Sequence, residues 1–145
     1  MKLGRKAIKT DSRTLRLANY ATKALPAPPA SCDWTRGVKD WGQFLNDQLG
    51  DCTIAAVIHS LQVFSLNAST ELIFTDVDAL KYYEAWCGYD PSNPLSDQGG
   101  IELDVLNAWK AQELAGHELK AFAAVSPKNL VEVKTAISLF GGIYI

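Results

Sequence analysis

Residues 46–56 read Asn-Asp-Gln-Leu-Gly-Asp-Cys-Thr-Ile-Ala-Ala, and this stretch marks the change from irregular chain to a long helix. Asp51 stands at an N-cap position, because apolar residues recur at helical spacing directly after it. Those residues are Ile54, Val57, Ile58, Leu61 and Phe64. The pattern predicts a helix over about 52–65, with Cys52 in its first turn.

Two more helices are indicated after this one. The second is predicted to begin at Thr75, because Thr75 and Asp78 have the spacing of a capping box, and to end at Gly88. The third spans about Ile101 to Leu114, and Gly116 follows it as a helix-ending residue.

The C-terminal part predicts a fourth helix flanked by strands. Ser126-Pro127 is expected to cap and start this helix, which runs through Phe140. Strands are expected over Glu118–Val125 and over Ile143–Ile145. The second strand has three residues where about five or six are usual, so we expect further strands of the same sheet outside this chain.

The composition is that of a globular domain. Of 145 residues, 48% are hydrophobic and 21% are charged, and the formal net charge is −2. These values exclude a disordered or fibrous chain. The longest apolar run, Ile54–Ile58, is far shorter than the roughly 20 residues of a membrane-spanning helix, and the basic N-terminus lacks the apolar segment of a signal peptide. We therefore expect no membrane insertion and no secretion by a signal peptide.

The three cysteines suggest neither a disulfide framework nor a zinc site, because their number is odd and they lack Cys-x-x-Cys spacing. A bridge between Cys32 and Cys87 stays open as an alternative, and Cys52 would then be free. Nucleotide fingerprints and calcium loops are not found either. The sequence thus indicates no metal, no cofactor and a reducing compartment.

Charge is distributed unevenly along the chain. Residues 1–23 hold seven of the 14 basic residues and one of the 16 acidic residues, which gives this segment a charge of +6 and the remainder −8. A proline-rich stretch at 25–30 follows. We interpret residues 1–31 as a basic arm and linker, and residues 32–145 as the folded domain. The arm is expected to become ordered only against another chain or an acidic surface, and nucleic acid is a less favoured partner. Contact with the acidic face of the same chain and a solvated arm stay open as alternatives.

Cys52 is a candidate nucleophile. The first turn of a helix carries the positive end of the macrodipole and unsatisfied backbone N–H groups, which favour a thiolate over a thiol. Four residues earlier, Gln48 offers an amide that could hold an oxyanion together with the Cys52 backbone N–H. The alternative, a small buried hydrophobic residue, stays open for a cysteine at this position.

Three short motifs follow one another in a characteristic order. Asp33-Trp34 precedes the loop from Gln48 to Cys52, and Gly99-Gly100 precedes a helix. Together they resemble the N-terminal half of papain-like cysteine peptidases, over about residues 33–145. The resemblance implies an α+β, papain-like fold whose central helix begins at Cys52 and whose sheet-bearing half is largely missing from this chain.

The resemblance also implies roles for these residues. Cys52 would attack the substrate, Gln48 would hold the oxyanion, and Gly99 and Gly100 would bind extended substrate backbone. Gln48 stands four residues before the cysteine where the family usually has six, so Gln43 is a second candidate for the oxyanion donor.

The family's general-base histidine has no counterpart here, because the matching position lies beyond Ile145. His59 is seven residues after Cys52, which places it roughly 10 Å farther along a helix. His117 stands where the family has no catalytic group. Neither histidine is expected to act as the base, so this chain alone is expected to be inactive.

The leading hypothesis is therefore a papain-like thiol hydrolase that, in its intact form, cleaves a peptide or amide bond through an acyl-thioester. The alternative is a catalytically inactive papain-like structural or interaction module. The basic start and the Asn46–Cys52 string also look like uncharacterised papain-like proteins of phages and prophages. That likeness implies a cytoplasmic or virion location and, for the alternative, a component of a phage particle.

Overall fold

The structure describes residues 4–20 and 26–145, which contain four α-helices and one pair of short strands joined by loops and turns. The structure is a computed structural model. Its helices are α1 (Cys52–Ala68), α2 (Asp76–Cys87), α3 (Glu102–Ala111) and α4 (Leu130–Phe140), and its strands are β1 (Leu15–Arg16) and β2 (Ala123–Ala124). The predicted combination of helices and strands is confirmed. Among the described helices, none is long and apolar enough to cross a membrane.

Helix α1 supplies most of the core. Its apolar face buries Ile54, Val57, Ile58 and Leu61, which are all at most 5% exposed. They pack with buried residues of α2 and α3, such as Tyr83, Val105 and Trp109. Burial of one such side chain stabilises the fold by about 1.5–3 kcal/mol. The predicted helix is confirmed, with one further turn at its C-terminal end.

Helix α2 has the ends that the sequence predicts. The Thr75 side chain accepts a hydrogen bond from the Asp78 backbone N–H, and the Asp78 carboxylate accepts one from the Thr75 backbone N–H at 2.8 Å. The helix ends at Gly88, whose φ of 75° lies in the left-handed region that glycine adopts at low cost.

Helix α3 ends three residues earlier than predicted. Leu114 and His117 exchange backbone hydrogen bonds of 3.0 and 2.9 Å, which closes a tight turn. Ala115 and Gly116 have φ values of 51° and 79° in that turn. Leu114 is fully buried, so it joins the core from the turn and not from the helix. Leu114 continues the apolar spacing of the helix, and the sequence pattern therefore predicts it as a helical residue.

The C-terminal part differs from the prediction at both ends. Helix α4 begins after Asn129, whose side chain accepts from the Glu132 N–H at 3.2 Å, so the predicted start at Ser126-Pro127 is wrong. Of the predicted strand at 118–125, only β2 (Ala123–Ala124) is paired, with β1. Residues 143–145 do not form a strand. Tyr144 instead donates a hydrogen bond to the Thr53 carbonyl of α1.

The N-terminal residues 4–20 lie against the body of the protein. Strand β1 pairs in parallel with β2, in the register Leu15↔Ala123. Leu17, which follows β1, is 6% exposed, and its 3₁₀ turn (Leu17–Asn19) contacts α4. This placement differs from the expected arm, which would become ordered only against a partner. Residues 4–20 are held against the same chain by the pairing of β1 with β2 and by the buried side chain of Leu17. Residues 1–3 and 21–25 of the expected arm lie outside the described residues.

Candidate functional site

Cys52 is the first residue of α1 and is partly exposed. The helix starts there because the Asp51 carbonyl accepts the first helical hydrogen bonds, from the N–H groups of Ile54 at 2.7 Å and Ala55 at 3.1 Å. The predicted position of Cys52 in the first turn of a helix is therefore confirmed.

Asp51 does not cap the helix with its side chain. The residue is fully buried, and neither carboxyl oxygen has a hydrogen-bond partner. Removal of a carboxylate from water without compensation disfavours its ionised form. Burial thus raises the pKa of Asp51 from 3.8 to about 7, and the nearby charge of Asp97 adds to the rise.

The Cys52 thiol has a raised pKa, chiefly because of its burial and then because of the neighbouring Asp51 carboxylate. The start of the helix was expected to favour the thiolate, but the net shift of the Cys52 pKa is upward, so that expectation is wrong. A helix N-terminus typically contributes about 0.3–1 kcal/mol to a nearby anion, and burial beside a carboxyl group outweighs that gain here.

Two loops meet at Cys52 through their glycines. We call the surface formed by Gly50, Gly99 and Gly100 the glycine groove. All three glycines are buried. A Cβ atom on Gly50 would lie 2.9 Å from the Asp97 carboxylate and 3.2 Å from the Gly4 Cα, so side chains are excluded where the loops approach. Gly99 and Gly100 lie next to the start of α1, where Gly100 approaches Thr53.

A buried hydrogen-bond network holds these loops together. Tyr83 on α2 donates from its hydroxyl to Asp97 at 2.7 Å and accepts from the Gly99 N–H at 2.9 Å. Asp97 also accepts from the Gly50 N–H at 2.9 Å. The sequence pattern suggests Tyr83 as a core residue or as part of an aromatic face for a sugar or base, and it does not indicate this network. An aspartate two residues before the glycine pair is the signal that could have suggested this network.

The glycine groove is occupied by residues 4–6 of the same chain. Gly100 donates its N–H to the Gly4 carbonyl at 2.8 Å, and the Gly100 carbonyl accepts from the Lys6 N–H at 2.9 Å. The Gly4 backbone also lies close enough to the Cys52 thiol to offset part of the rise in the Cys52 pKa. An extended peptide backbone therefore lies directly beside the candidate nucleophile.

Cys87 lies next to Gly100 of the same glycine pair. A Cβ on Gly100 would lie 2.2 Å from Thr53 Oγ1 and 2.9 Å from Cys87 Sγ. Burial raises the pKa of Cys87 to about 11, so this thiol is protonated near neutral pH. All three cysteines are free, so the Cys32–Cys87 bridge considered above is not formed.

The remaining candidates lie apart from this arrangement or on its margin. Gln48 is exposed on the turn that leads into α1, and Gln43 is exposed earlier in the same loop. His59 lies two turns along α1, where its Nε2 donates to the Trp41 carbonyl at 2.8 Å. His117 is exposed in the turn after α3. Neither histidine accompanies Cys52 at the start of α1.

Within residues 4–20 and 26–145, no group of three or more His, Cys, Asp or Glu side chains is placed to bind a metal ion.

No family model matches the sequence, and no curated protein or solved structure matches the chain.

Proposed function

We propose that this chain carries the nucleophile of a papain-like thiol hydrolase that acts on peptide or amide bonds. The Cys52 sulfur would attack the carbonyl carbon, the amine would leave with a proton, and water would then hydrolyse the acyl-thioester. Gln48 and the Cys52 backbone N–H would stabilise the oxyanion, and Gly99 and Gly100 would hold the substrate backbone.

One observation carries this proposal. A thiol stands at the first residue of α1, and an extended backbone is hydrogen-bonded to Gly100 directly beside it. A peptide bond delivered to Cys52 along the same surface would approach the sulfur with its carbonyl near backbone N–H groups. Such an approach is what acyl transfer to a cysteine requires.

Turnover also needs a group that takes the thiol proton and returns it to the leaving amine. His59 is roughly 10 Å along the helix axis from Cys52, and His117 is in the turn after α3. We infer that the base comes from outside these 145 residues. The chain alone is expected to form a thioester slowly and not to turn over amides.

Acylation by an activated ester tests the proposal without requiring the base. The reference is the Cys32→Ala chain, because Cys32 is exposed. Incubation with a p-nitrophenyl ester at about pH 9 is followed by intact mass and peptide mapping. One acyl group per chain is expected, and it should disappear in Cys52→Ala and persist in Cys87→Ala. Acylation of Cys87 in place of Cys52 would contradict the assignment.

Exogenous imidazole provides the second arm of this experiment. If only the base is lacking, imidazole should speed both acylation and deacylation of Cys52, so that ester turnover rises with imidazole concentration. The Cys52→Ala chain gives the background rate from imidazole alone. Equal imidazole dependence in both chains would argue against the hydrolase.

The second candidate is a catalytically inactive papain-like structural or interaction module, for example a component of a phage particle. It is favoured by a specific observation: residues 4–6 fill the glycine groove while burial keeps the Cys52 pKa raised. This candidate expects no acylation of Cys52 under any of the conditions above. It also expects Cys52→Ala to leave association with an assembly partner unchanged.

A further inference from the structure

We propose that the glycine groove is a binding site for an extended peptide in which a glycine is followed by basic residues, and that residues 4–9 of this chain occupy it in cis. The inference rests on the Gly99–Gly100 site of the proposed function and names the class of peptide that this site selects. Binding requires no turnover, so it can fail or succeed independently of hydrolysis. Backbone pairing, steric exclusion and charge each support it.

Backbone groups provide the general affinity for an extended peptide. Gly100 uses both its N–H and its carbonyl, which bond to Gly4 and Lys6 on either side of Arg5 in a parallel bridge. An added strand gains affinity from such main-chain hydrogen bonds, whatever its side chains are. These contacts explain why the occupant is extended, but they do not select its sequence.

Sterics select glycine at one position. A Cβ on Gly4 would lie 2.0 Å from the Gly50 carbonyl oxygen and 2.7 Å from the Gly50 Cα. Backbone atoms cannot move aside as the end of a flexible side chain can. From the other loop, a Cβ on Gly99 would lie 1.8 Å from the Gly4 oxygen. The occupant and both walls therefore approach closely enough that only glycine fits.

Charge selects basic residues after that glycine. Arg5 forms an ion pair with Glu102 at 3.2 Å, and Lys9 forms one with Asp104 at 2.7 Å. Both acidic residues belong to the first turn of α3, which follows Gly100 directly. Exposed ion pairs add little stability and are screened by salt, so they act mainly on selectivity.

Covalent attachment gives the cis segment a large advantage over a free peptide. A tethered ligand acts at an effective concentration on the order of millimolar. A peptide added in trans must displace residues 4–6 before it can bind. A variant that expels the cis segment should therefore bind the same peptide more tightly than the wild type does.

Fluorescence anisotropy tests this with an acetylated, labelled peptide of sequence Gly-Arg-Lys-Ala-Ile-Lys. The full chain is used as wild type, as Gly4→Val and as Gly142→Val, whose position has no atom within 4 Å of an added Cβ. Gly4→Val should bind the peptide about tenfold or more tightly than the wild type, and Gly142→Val should match the wild type. A peptide that starts with Ala should bind Gly4→Val at least about tenfold more weakly.

Amide hydrogen exchange in the wild-type chain keeps the inference testable if Gly4→Val does not fold. At millimolar peptide, the Lys6 amide should lose protection because its segment is displaced, whereas the Gly100 amide should stay protected by the new occupant. A Lys6 amide that stays protected would overturn the inference. Equal binding of the Gly and Ala peptides would also overturn it. So would binding that changes neither with salt concentration nor when the basic residues of the peptide are replaced by Glu.

Discussion

Asp51→Asn should stabilise the protein, most strongly at alkaline pH. Asp51 is fully buried and its two carboxyl oxygens have no hydrogen-bond partner. Its pKa is about 7 in the folded chain, against an ordinary value of 3.8. Asparagine has nearly the same shape and cannot ionise, so it imitates the protonated carboxyl group.

The sign and size of this pH-dependent change in the free energy of unfolding follow from proton linkage. Between about pH 4 and pH 7 the folded state keeps a proton on Asp51 that the unfolded state releases, so the free energy of unfolding falls as the pH rises. The slope is at most about 1.4 kcal/mol per pH unit, which gives an upper limit of about 4 kcal/mol over this window. Above pH 7 both states are ionised and the loss is complete. Relaxation around the carboxylate reduces the expected loss to about 2–4 kcal/mol.

Urea denaturation at one-unit intervals from pH 4 to pH 8 measures this loss. The wild type should lose about 2–4 kcal/mol more than Asp51→Asn across the series, and the two chains should agree within about 1 kcal/mol at pH 4. Glu84→Gln is the control, because Glu84 is exposed on α2 and is not among the groups that raise the Asp51 pKa. It should follow the wild type at every pH.

Iodoacetamide labelling of Cys52 supplies an independent measurement. The Asp51 carboxylate is one cause of the raised Cys52 pKa, so its removal should speed alkylation of Cys52 near pH 8. Parallel stability profiles for wild type and Asp51→Asn would mean that Asp51 ionises normally when folded. Together with unchanged labelling, that result would refute the argument from burial.

Three further changes test the fold around the site by urea denaturation. Tyr83→Phe should cost about 1–3 kcal/mol, because the Gly99 N–H loses its acceptor in a buried network; a cost below about 0.5 kcal/mol would mean that water replaces the hydroxyl. Thr75→Ala should cost about 1 kcal/mol through loss of the capping box with Asp78, whereas Thr75→Ser should cost little. Ala115→Asn should stabilise by about 0.5–1 kcal/mol, because asparagine tolerates the left-handed φ of 51° better than alanine does; a destabilised variant would contradict the turn.

Helices α1 and α2 could be predicted from the sequence because local signals determine their ends. The apolar period after Asp51 and the reciprocal bonds of Thr75 and Asp78 act within a single turn of chain. The end of α3 could not be predicted in this way, because Leu114 keeps the helical period while it is buried from a turn. Packing against distant parts of the chain decides that point.

In the candidate site, too, local features could be predicted from the sequence and features that depend on distant contacts could not. The place of Cys52 follows from the helix start, which is local. The occupation of the glycine groove depends on hydrogen bonds between Gly4 and Gly100, which no periodicity encodes. The raised pKa of Cys52 depends chiefly on the burial of the thiol and then on the Asp51 carboxylate. The sequence spacing indicates only the opposing contribution of the helix N-terminus.

The parallel docking of the N-terminal segment has a consequence for synthesis on the ribosome. Arg5 and its partner Glu102 are 97 residues apart in the chain. At about 5–20 residues per second, the segment waits roughly 5–20 s after it is made before its docking surface exists. Through that interval a nascent chain holds Arg5 and Lys9 without their acidic partners Glu102 and Asp104, so this segment docks only after α3 has been made.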